Sequence, residues 1–373
     1  MKRLVEYYNR KKKVVDGFLE NQQFLFPGRY RFDESLTYIH LDDKNISKKS
    51  NELFSQGLPV INFVNGRSFT KTTMTKAMAI YFNKKLFIEH KTKTNFKGKV
   101  YLPGGNGNDV KIFDFENKEI LIAFSDRGTF KRKVAFYKQF SPHFPVPPII
   151  DIIETRQMII ERYTDYKASP YWDNYDFNFV VNEIFRRYLE YFEIVVSYGD
   201  FQWVTPEEIW GELPLKNQFL EDIFNGISYD LLKTPFVTVN IHGDLWSSNI
   251  LIDKEESNKV FFIDWELAGK LYLFYDFFGF MWNEAINNKR YSFIRSYMNG
   301  DYDDYYSHAF ELFGMEFEAE RKDEYLNIFF LNMYLRRWTK TEPLHLEWLH
   351  NEYRKFMEYV VSLDALPDMP WRK

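Results

Sequence analysis

The segment from Val239 to Gly269 constrains the fold more than any other part of the 373-residue chain. It reads VNIHGDLWSSNILIDKEESNKVFFIDWELAG, in which apolar runs alternate with polar loops. Short apolar runs bounded by polar turn residues are typical of buried β-strands. The strands predicted here are 237–241, 249–253 and 260–264.

Three side chains in this segment have the chemistry of a magnesium site. The polar turn KEESN joins the last two strands into a hairpin, which returns Asp264 to the side of Asn249. Asp244 lies in the loop that precedes this hairpin. Carboxylate and amide oxygens suit Mg²⁺, which binds through a few protein oxygens and substrate phosphates. The alternative is that the three are ordinary turn and capping residues, which Asp and Asn favour.

The spacing of these residues resembles a known pattern. His-x-Asp-x-x-x-x-Asn, followed by an apolar strand that ends in Asp, is similar to the catalytic and metal segments of the protein-kinase-like fold. The motif HGDL beginning at His242, with IDW ending at Trp265, resembles the aminoglycoside phosphotransferase and choline kinase family. Asp276 matches the spacing of a structural Asp in that group, and the resemblance covers about residues 96–282.

The resemblance implies an activity and a role for each motif residue. It predicts an ATP- and Mg²⁺-dependent phosphotransferase (a kinase) that acts on a hydroxyl group of a small molecule. Asp244 would be the catalytic residue that orients the acceptor hydroxyl, and Asn249 and Asp264 would be the metal ligands. His242 would pack and hydrogen-bond the loop. The acceptor remains open among amino alcohols, sugars and aminoglycosides.

The resemblance also predicts an α+β, two-lobed protein-kinase-like fold, with a small antiparallel N-lobe sheet and a larger helical C-lobe. Residues 96–163 contain short strand patterns around one helix and would form the nucleotide-binding N-lobe. Residues 164–373 would form the C-lobe, with long aromatic amphipathic helices predicted at 179–198, 325–338 and 344–362. Residues 1–95 would be an N-terminal extension of unknown role, with a buried strand at 58–64.

Candidate nucleotide contacts come from residues 96–163. Gly105 and Gly107 lie in the turn PGGNGN, which is either a nucleotide loop or a plain hairpin turn. Glu161 and Tyr163 resemble the approach to the hinge of the family. Lys111 follows the glycine turn on the next predicted strand.

The family's usual strand lysine is missing. Active members pair a strand Lys with a helix Glu, whereas Ile122 or Ala123 occupies the expected strand position here and Lys133 lies near the expected Glu. Either Lys111 or Lys133 then supplies the phosphate-anchoring cation, or the nucleotide site is degenerate. The degenerate alternative corresponds to a catalytically weak kinase-like protein, which would act as a binding or assembly module through residues 1–95.

Composition narrows the remaining classes. The absence of Cys excludes disulfides and thiolate metal sites, and a net charge of -4 disfavours a dedicated nucleic-acid binder. No apolar stretch reaches the roughly 20 residues needed to span a bilayer, so a cytoplasmic protein is expected. Aromatic residues make up 20% of the chain and predict a ring-filled core. The tryptophans that line a pocket or pack in this core are Trp172, Trp246, Trp265 and Trp282.

Overall fold

A computed structural model of the chain describes residues 2–33, 36, 38–43, 69–89, 96–103, 109–256, 258–341 and 343–364. The chain divides into two compact units. The first unit comprises Met1–Asn174 and Leu251–Ile263, and the second unit comprises Tyr175–Ile250 and Asp264–Lys373. The strand predicted at 58–64 lies outside the described residues.

The helices of the first unit are α1 (Lys2–Glu20), α2 (Phe69–Asn83) and α3 (Arg127–Phe140). The helices of the second unit are α4 (Asn174–Tyr198), α5 (Pro206–Glu212), α6 (Gln218–Asn225), α7 (Tyr229–Lys233), α8 (Tyr275–Asn288), α9 (Ser292–Asn299), α10 (Asp303–Leu312), α11 (Lys322–Arg336) and α12 (Pro343–Asp364). The first residue of α4, Asn174, is the last residue of the first unit in that part of the chain. None of the helices among the described residues is long and apolar enough to cross a membrane.

The strands are short and are numbered through the whole chain. They are β1 (Gly28–Phe32), β2 (Ile39–Leu41), β3 (Phe87–Ile88), β4 (Val100–Pro103), β5 (Asp109–Asp114), β6 (Glu119–Phe124), β7 (Ile149–Ile153), β8 (Met158–Arg162), β9 (Tyr166–Lys167), β10 (Gln202–Val204), β11 (Phe236–Ile241), β12 (Ile250–Asp253), β13 (Val260–Phe262) and β14 (Gly269–Tyr272).

The first unit is built on one antiparallel sheet of eight strands in the order β3-β1-β2-β4-β5-β6-β8-β7. Ile39 of β2 lies opposite Tyr101 of β4, so strands from before and after residue 95 are hydrogen-bonded neighbours. The predicted boundary at residue 95 is therefore not a boundary of the sheet. Strands of two and three residues, such as β3 and β2, are too short to produce a recognisable periodicity.

Each face of this sheet carries its own core. Phe18 of α1 packs edge-on against Tyr30 and Tyr101, with ring centroids 5.0 and 5.4 Å apart. On the opposite face, Phe130 of α3 packs with Ile122 and other buried side chains. Helix α3 begins after Asp126, whose carboxylate accepts the Thr129 amide at 2.6 Å and so caps the helix.

The hairpin formed by β12 and β13 belongs to the first unit, whereas the predicted C-lobe, residues 164–373, includes this hairpin. Asp253 of β12 lies opposite Tyr166 of β9, and the amide of Phe262 donates to the Pro145 carbonyl at 2.8 Å. The two ends of this hairpin return to the second unit at Ile250 and Asp264.

The second unit surrounds a small antiparallel sheet, β10-β11-β14, with helices. Its interior is largely aromatic, as predicted: Phe236 of β11 packs against Phe274 and Tyr325 at centroid distances of 6.0 and 5.9 Å. Trp265 and Trp282 are buried in this unit. The predicted α+β fold, an antiparallel sheet unit and a mainly helical unit, is confirmed.

Candidate functional site

The loop after β11 can form only because position 243 is a glycine. Gly243 has a φ of +77°, in the left-handed region that favours glycine. A Cβ atom at this position would collide with the carbonyl oxygen of Leu267. The close approach brings the loop that holds Asp244 against the segment that follows Asp264.

Strand pairing and ring packing also hold the Asp244 loop against the segment that follows Asp264. Ile241, the last residue of β11, lies opposite Gly269 of β14. The His242 ring packs against the Trp265 ring at a centroid distance of 4.5 Å, and both rings are buried. The predicted packing role of His242 therefore agrees with where the structure puts it.

The buried carboxylate of Asp276 holds the loop that contains His242 and Gly243. Asp276 of α8 accepts the amides of His242 and Gly243, each at 2.7 Å, and the Tyr188 hydroxyl at 2.6 Å. Burial raises the pKa of Asp276, while His242 and these hydrogen bonds oppose the rise. Asp276 thus has the structural role that its spacing suggested, since it fixes the backbone immediately before Asp244.

A second buried acid holds the loop further along. The amide of Ser247 donates to Glu284 of α8 at 3.3 Å, and Glu284 is fully buried. Arg290 balances this carboxylate with an ion pair of 3.0 Å. No sequence motif points to Glu284, because its contact with Ser247 joins two elements that are distant in the sequence.

The amide of Asn249 has an orientation suited to a metal ligand. Its Nδ2 donates to the backbone carbonyl of Asp244 at 2.8 Å, and a carbonyl oxygen can only accept. The Asn249 Oδ1 is therefore turned away from that contact, and no donor binds it among the described residues. Asp244 and Asn249, predicted to converge, are in direct contact.

Asp264 follows the hairpin in an unusual backbone conformation. Its φ of 68° and ψ of 49° are left-handed, which Asp tolerates better than most residues. The Asp253 amide donates to the Lys259 carbonyl at 3.0 Å, and this antiparallel register puts the start of β12 beside the end of β13. Asn249 and Asp264 therefore flank the same end of the hairpin.

These three side chains fit a magnesium ion better than a softer metal. The described residues contain no group of three His, Cys, Asp or Glu that could hold a metal by themselves. Asp244, Asn249 and Asp264 supply two carboxylates and one amide. Mg²⁺ commonly binds through one or two carboxylates and completes its shell with waters and phosphate oxygens.

One partner of Asp244 could not be foreseen from the motif. Arg337, the residue after α11, donates its Nη1 to Asp244 Oδ1 at 2.7 Å. The side chains of Arg337 and Asp244 are 34% and 21% exposed. The contact joins residues 93 positions apart, so sequence spacing carries no signal for it.

The predicted cation candidates share one face of the sheet in the first unit. Lys111 of β5 lies directly opposite Ile122 of β6, one of the two positions where the family's strand lysine is expected, whereas Ala123, the other position, lies opposite Val110. Directly opposite residues project from the same face of an antiparallel pair. Burial raises the pKa of Asp109, and Lys111 and Lys133 both oppose that rise, so both ammonium groups lie near this carboxylate.

Lys133 already has a partner on that face. Its Nζ lies 3.6 Å from Oε1 of Glu161, and both side chains are more than four-fifths buried. The lysine comes from helix α3 and the carboxylate from strand β8, which reverses the usual strand-lysine and helix-glutamate arrangement of the family.

The other predicted nucleotide contacts are Gly105, Gly107 and Tyr163. Gly105 and Gly107 lie outside the described residues. The Tyr163 ring is buried against Phe115 at a centroid distance of 5.2 Å, and its amide donates to the Lys118 carbonyl at 2.8 Å. Neither the ring face nor the amide proton of Tyr163 is therefore available to a nucleotide.

The chain was compared with known families and structures. A model of the phosphotransferase enzyme family matches residues 199–314, which include Asp244, Asn249 and Asp264. This matched part of the chain agrees with the family that the motifs resemble and with the predicted enzyme class. No curated protein matches the chain.

Several solved structures are similar to the chain at low identity. A choline kinase, LicA from Streptococcus pneumoniae, is 12% identical, with 70% of this chain and 92% of that chain covered and a TM-score of 0.42. A putative aminoglycoside phosphotransferase from Ralstonia eutropha JMP134 is 14% identical, with 72% and 94% covered and a TM-score of 0.45. An ethanolamine kinase from Plasmodium vivax is 15% identical, with 84% and 98% covered and a TM-score of 0.36.

Proposed function

We propose that the chain is an ATP- and Mg²⁺-dependent kinase that phosphorylates a hydroxyl group of a small molecule. The observation that carries the proposal is the close approach of Gly243 to Leu267, which packs the Asp244 loop against the Asp264 segment. A carboxylate for the acceptor and oxygen ligands for a metal are then held in one rigid arrangement. Phosphoryl transfer depends mainly on such positioning and on charge neutralisation.

Each residue has a defined task in this proposal. Asp244 orients the acceptor hydroxyl and accepts its proton as the new phosphate ester forms. Asn249 and Asp264 hold Mg²⁺, which neutralises negative charge on the nucleotide phosphates when bound. Asp276 carries out no chemistry and keeps the loop backbone in place through its two amide contacts.

Lys111 is the proposed phosphate-anchoring cation. It lies directly opposite Ile122, one of the two positions expected for the missing lysine, and no ion pair holds it among the described residues. Lys133 is engaged with Glu161, so this pair would help to position the nucleotide rather than supply the main cation.

The proposal is tested by calorimetry of ATP binding with Mg²⁺ and with a chelator, followed by a phosphate-transfer screen over sugars, amino alcohols and hydroxy acids. The wild type should bind ATP only with Mg²⁺, and Asp264→Ala should abolish this metal dependence. Glu256→Gln is the matched control, since it removes an exposed carboxylate from the turn of the same hairpin. Unchanged Mg²⁺-dependent affinity in Asp264→Ala would remove Asp264 from the metal site.

A further inference from the structure

The acceptor side of the candidate site contains a guanidinium group. Arg337 binds Asp244 Oδ1 through Nη1 alone, and Asp244 Oδ2 lies 3.4 Å from the Asn249 side-chain nitrogen. In the proposed function the acceptor hydroxyl must approach Asp244, so any acceptor also comes within reach of Arg337. The charge of Arg337 therefore acts on the choice of acceptor.

This guanidinium is only partly used. Arginine offers five N–H donors in a planar fork, and a single donor is used on Asp244 here. The remaining edge can bind a carboxylate or phosphate through two parallel hydrogen bonds. With a side chain about one-third exposed, Arg337 is accessible to a ligand without being freely solvated.

A buried hydroxyl adds a second observation at the same place. The side chain of Tyr275, the first residue of α8, is fully buried. Its hydroxyl has no hydrogen bond of normal geometry within the described part of the chain, and its contact with Arg337 helps to raise the pKa of that guanidinium. Burial raises the pKa of Tyr275, and the positive charge of Arg337 opposes that rise, which agrees with a position of the guanidinium close to this hydroxyl. An orphaned donor beside an underused guanidinium is the composition of an oxyanion site.

The alternative acceptors fit this arrangement less well. A protonated amine or a quaternary ammonium group beside Arg337 would meet a like charge in a partly desolvated site. Like charges juxtaposed in this way cost several kcal/mol. A neutral sugar avoids this cost, but its hydroxyl oxygens lack the negative charge that makes a two-bonded contact with the guanidinium strong.

We propose that the acceptor carries an oxyanion, either a carboxylate or a phosphate, close to the hydroxyl that is phosphorylated. This inference rests on the proposed function. Arg337 and Tyr275 bind the oxyanion while the hydroxyl oxygen lies on Asp244. The acceptor oxygen then forms a bond to the γ-phosphorus as the bond between that phosphorus and the leaving ADP oxygen breaks. The hydroxyl proton passes to Asp244 and afterwards to water.

The test uses the full-length enzyme with Mg²⁺-ATP and acceptors that differ mainly in charge. One series is glycerol, serinol, glycerate and glycerol 3-phosphate, and the other is glucose, glucosamine, gluconate and glucose 6-phosphate. ADP release and phosphorylated product are measured for each. We expect an acid or a phosphate ester to be used with a kcat/KM at least about tenfold above that of its neutral and cationic counterparts. A tenfold preference corresponds to about 1.4 kcal/mol.

Variants assign the preference to the residues. Arg337→Gln should raise KM for the anionic acceptor about tenfold or more, with a smaller change for the neutral one, and Arg337→Lys should restore part of the loss. Tyr275→Phe removes only the hydroxyl and should have a smaller effect in the same direction. Arg336→Gln is the matched control, because the Arg336 guanidinium donates to the Lys270 carbonyl at 3.1 Å instead.

The outcomes separate the two proposals. A wild type that binds Mg²⁺-ATP but prefers glucosamine, serinol or the neutral compounds, or responds to no oxyanion in either series, overturns the oxyanion inference alone. An Arg337→Gln enzyme with unchanged preference does the same. A wild type that binds no Mg²⁺-ATP overturns the proposed function itself.

Discussion

The two units hold their candidate residues in different ways. In the second unit, the loop around Asp244 is fixed by hydrogen bonds to Asp276 and Glu284 and by the close contact of Gly243 with Leu267. In the first unit, Lys111 has no ion pair among the described residues, and Lys133 is paired with Glu161.

In the proposed function, the rigidly held second unit would carry out phosphoryl transfer, and the less constrained lysines of the first unit would bind the nucleotide. Groups that stabilise a transition state are most effective when they need no reorganisation at the moment of reaction, and the second unit meets this condition. A lysine that grips a flexible triphosphate can instead close on its ligand. We therefore expect substitutions in the second unit to affect turnover and stability, and substitutions in the first unit to affect nucleotide affinity.

The largest expected effect is on turnover in Asp244→Asn. The amide keeps the shape of the side chain but cannot accept the hydroxyl proton, and general-base help is worth about 10²–10⁴-fold in rate. Steady-state kinetics should show this loss in kcat, while calorimetry should give near-normal ATP affinity because the metal ligands remain. An enzyme that retains most of its turnover would remove the catalytic role of Asp244 and, with it, the contrast between the units.

The next largest effect is on stability in Asp276→Ala. The substitution leaves two buried amides without an acceptor, and each buried unsatisfied group costs about 1–3 kcal/mol. Urea denaturation should show a free energy of unfolding lower by roughly 3 kcal/mol. Tyr188→Phe is the control, since it removes one donor to the same carboxylate and should cost only about 1 kcal/mol. Equal losses in the two variants would mean that Asp276 does not clamp the loop.

A smaller effect sharpens the assignment in the first unit. Lys111→Met should weaken Mg²⁺-ATP binding about 10- to 100-fold, because a charge-assisted contact to phosphate contributes roughly 1.5–3 kcal/mol. Lys131→Met, an exposed lysine of α3, should leave the dissociation constant unchanged. If Lys133→Met weakens binding more than Lys111→Met does, Lys133 is the main cation.

The smallest effect concerns pH and the helices of the second unit. The His350 ring stacks on Phe219 at a centroid distance of 3.7 Å, and burial lowers the pKa of His350 to about 4. The His350 imidazole therefore binds a proton less tightly in the folded state than in the unfolded state. The stabilisation that comes from the neutral, buried ring is present above about pH 6.5 and is lost as the pH falls toward 4. Denaturation curves at pH 7 and pH 4.5 should differ less in His350→Phe than in the wild type. An equal difference between the two pH values in His350→Phe and in the wild type would contradict this role of His350.

The sequence predicted the second unit better than the first. Long periodic patterns identified the helices at 179–198, 325–338 and 344–362, which the structure has as Asn174–Tyr198, Lys322–Arg336 and Pro343–Asp364. The hairpin and the contact between Asp244 and Asn249 followed from local spacing. The bonds from Asp276 to the loop also agree with the family pattern, because the spacing of Asp276 from Asp264 matches that of a structural Asp in that group.

Long-range contacts could not be predicted in this way. Arg337 reaches Asp244 only through the packing of a distant helix, and Glu284 reaches Ser247 in the same manner. The replacement of the strand lysine became interpretable only when the register put Lys111 opposite Ile122. Short strands such as β2 and β3 gave no periodic signal, so residues 1–95 were assigned to an extension.

The pairing of β2 with β4 has a consequence for any shortened form of the protein. A chain that begins at residue 96 would lose the backbone partners of Val100 and Tyr101. It would also uncover the Tyr101 ring, which is covered by Phe18 of α1. An uncovered, apolar edge strand is a template for pairing between molecules, so such a fragment should aggregate instead of behaving as an independent nucleotide-binding domain.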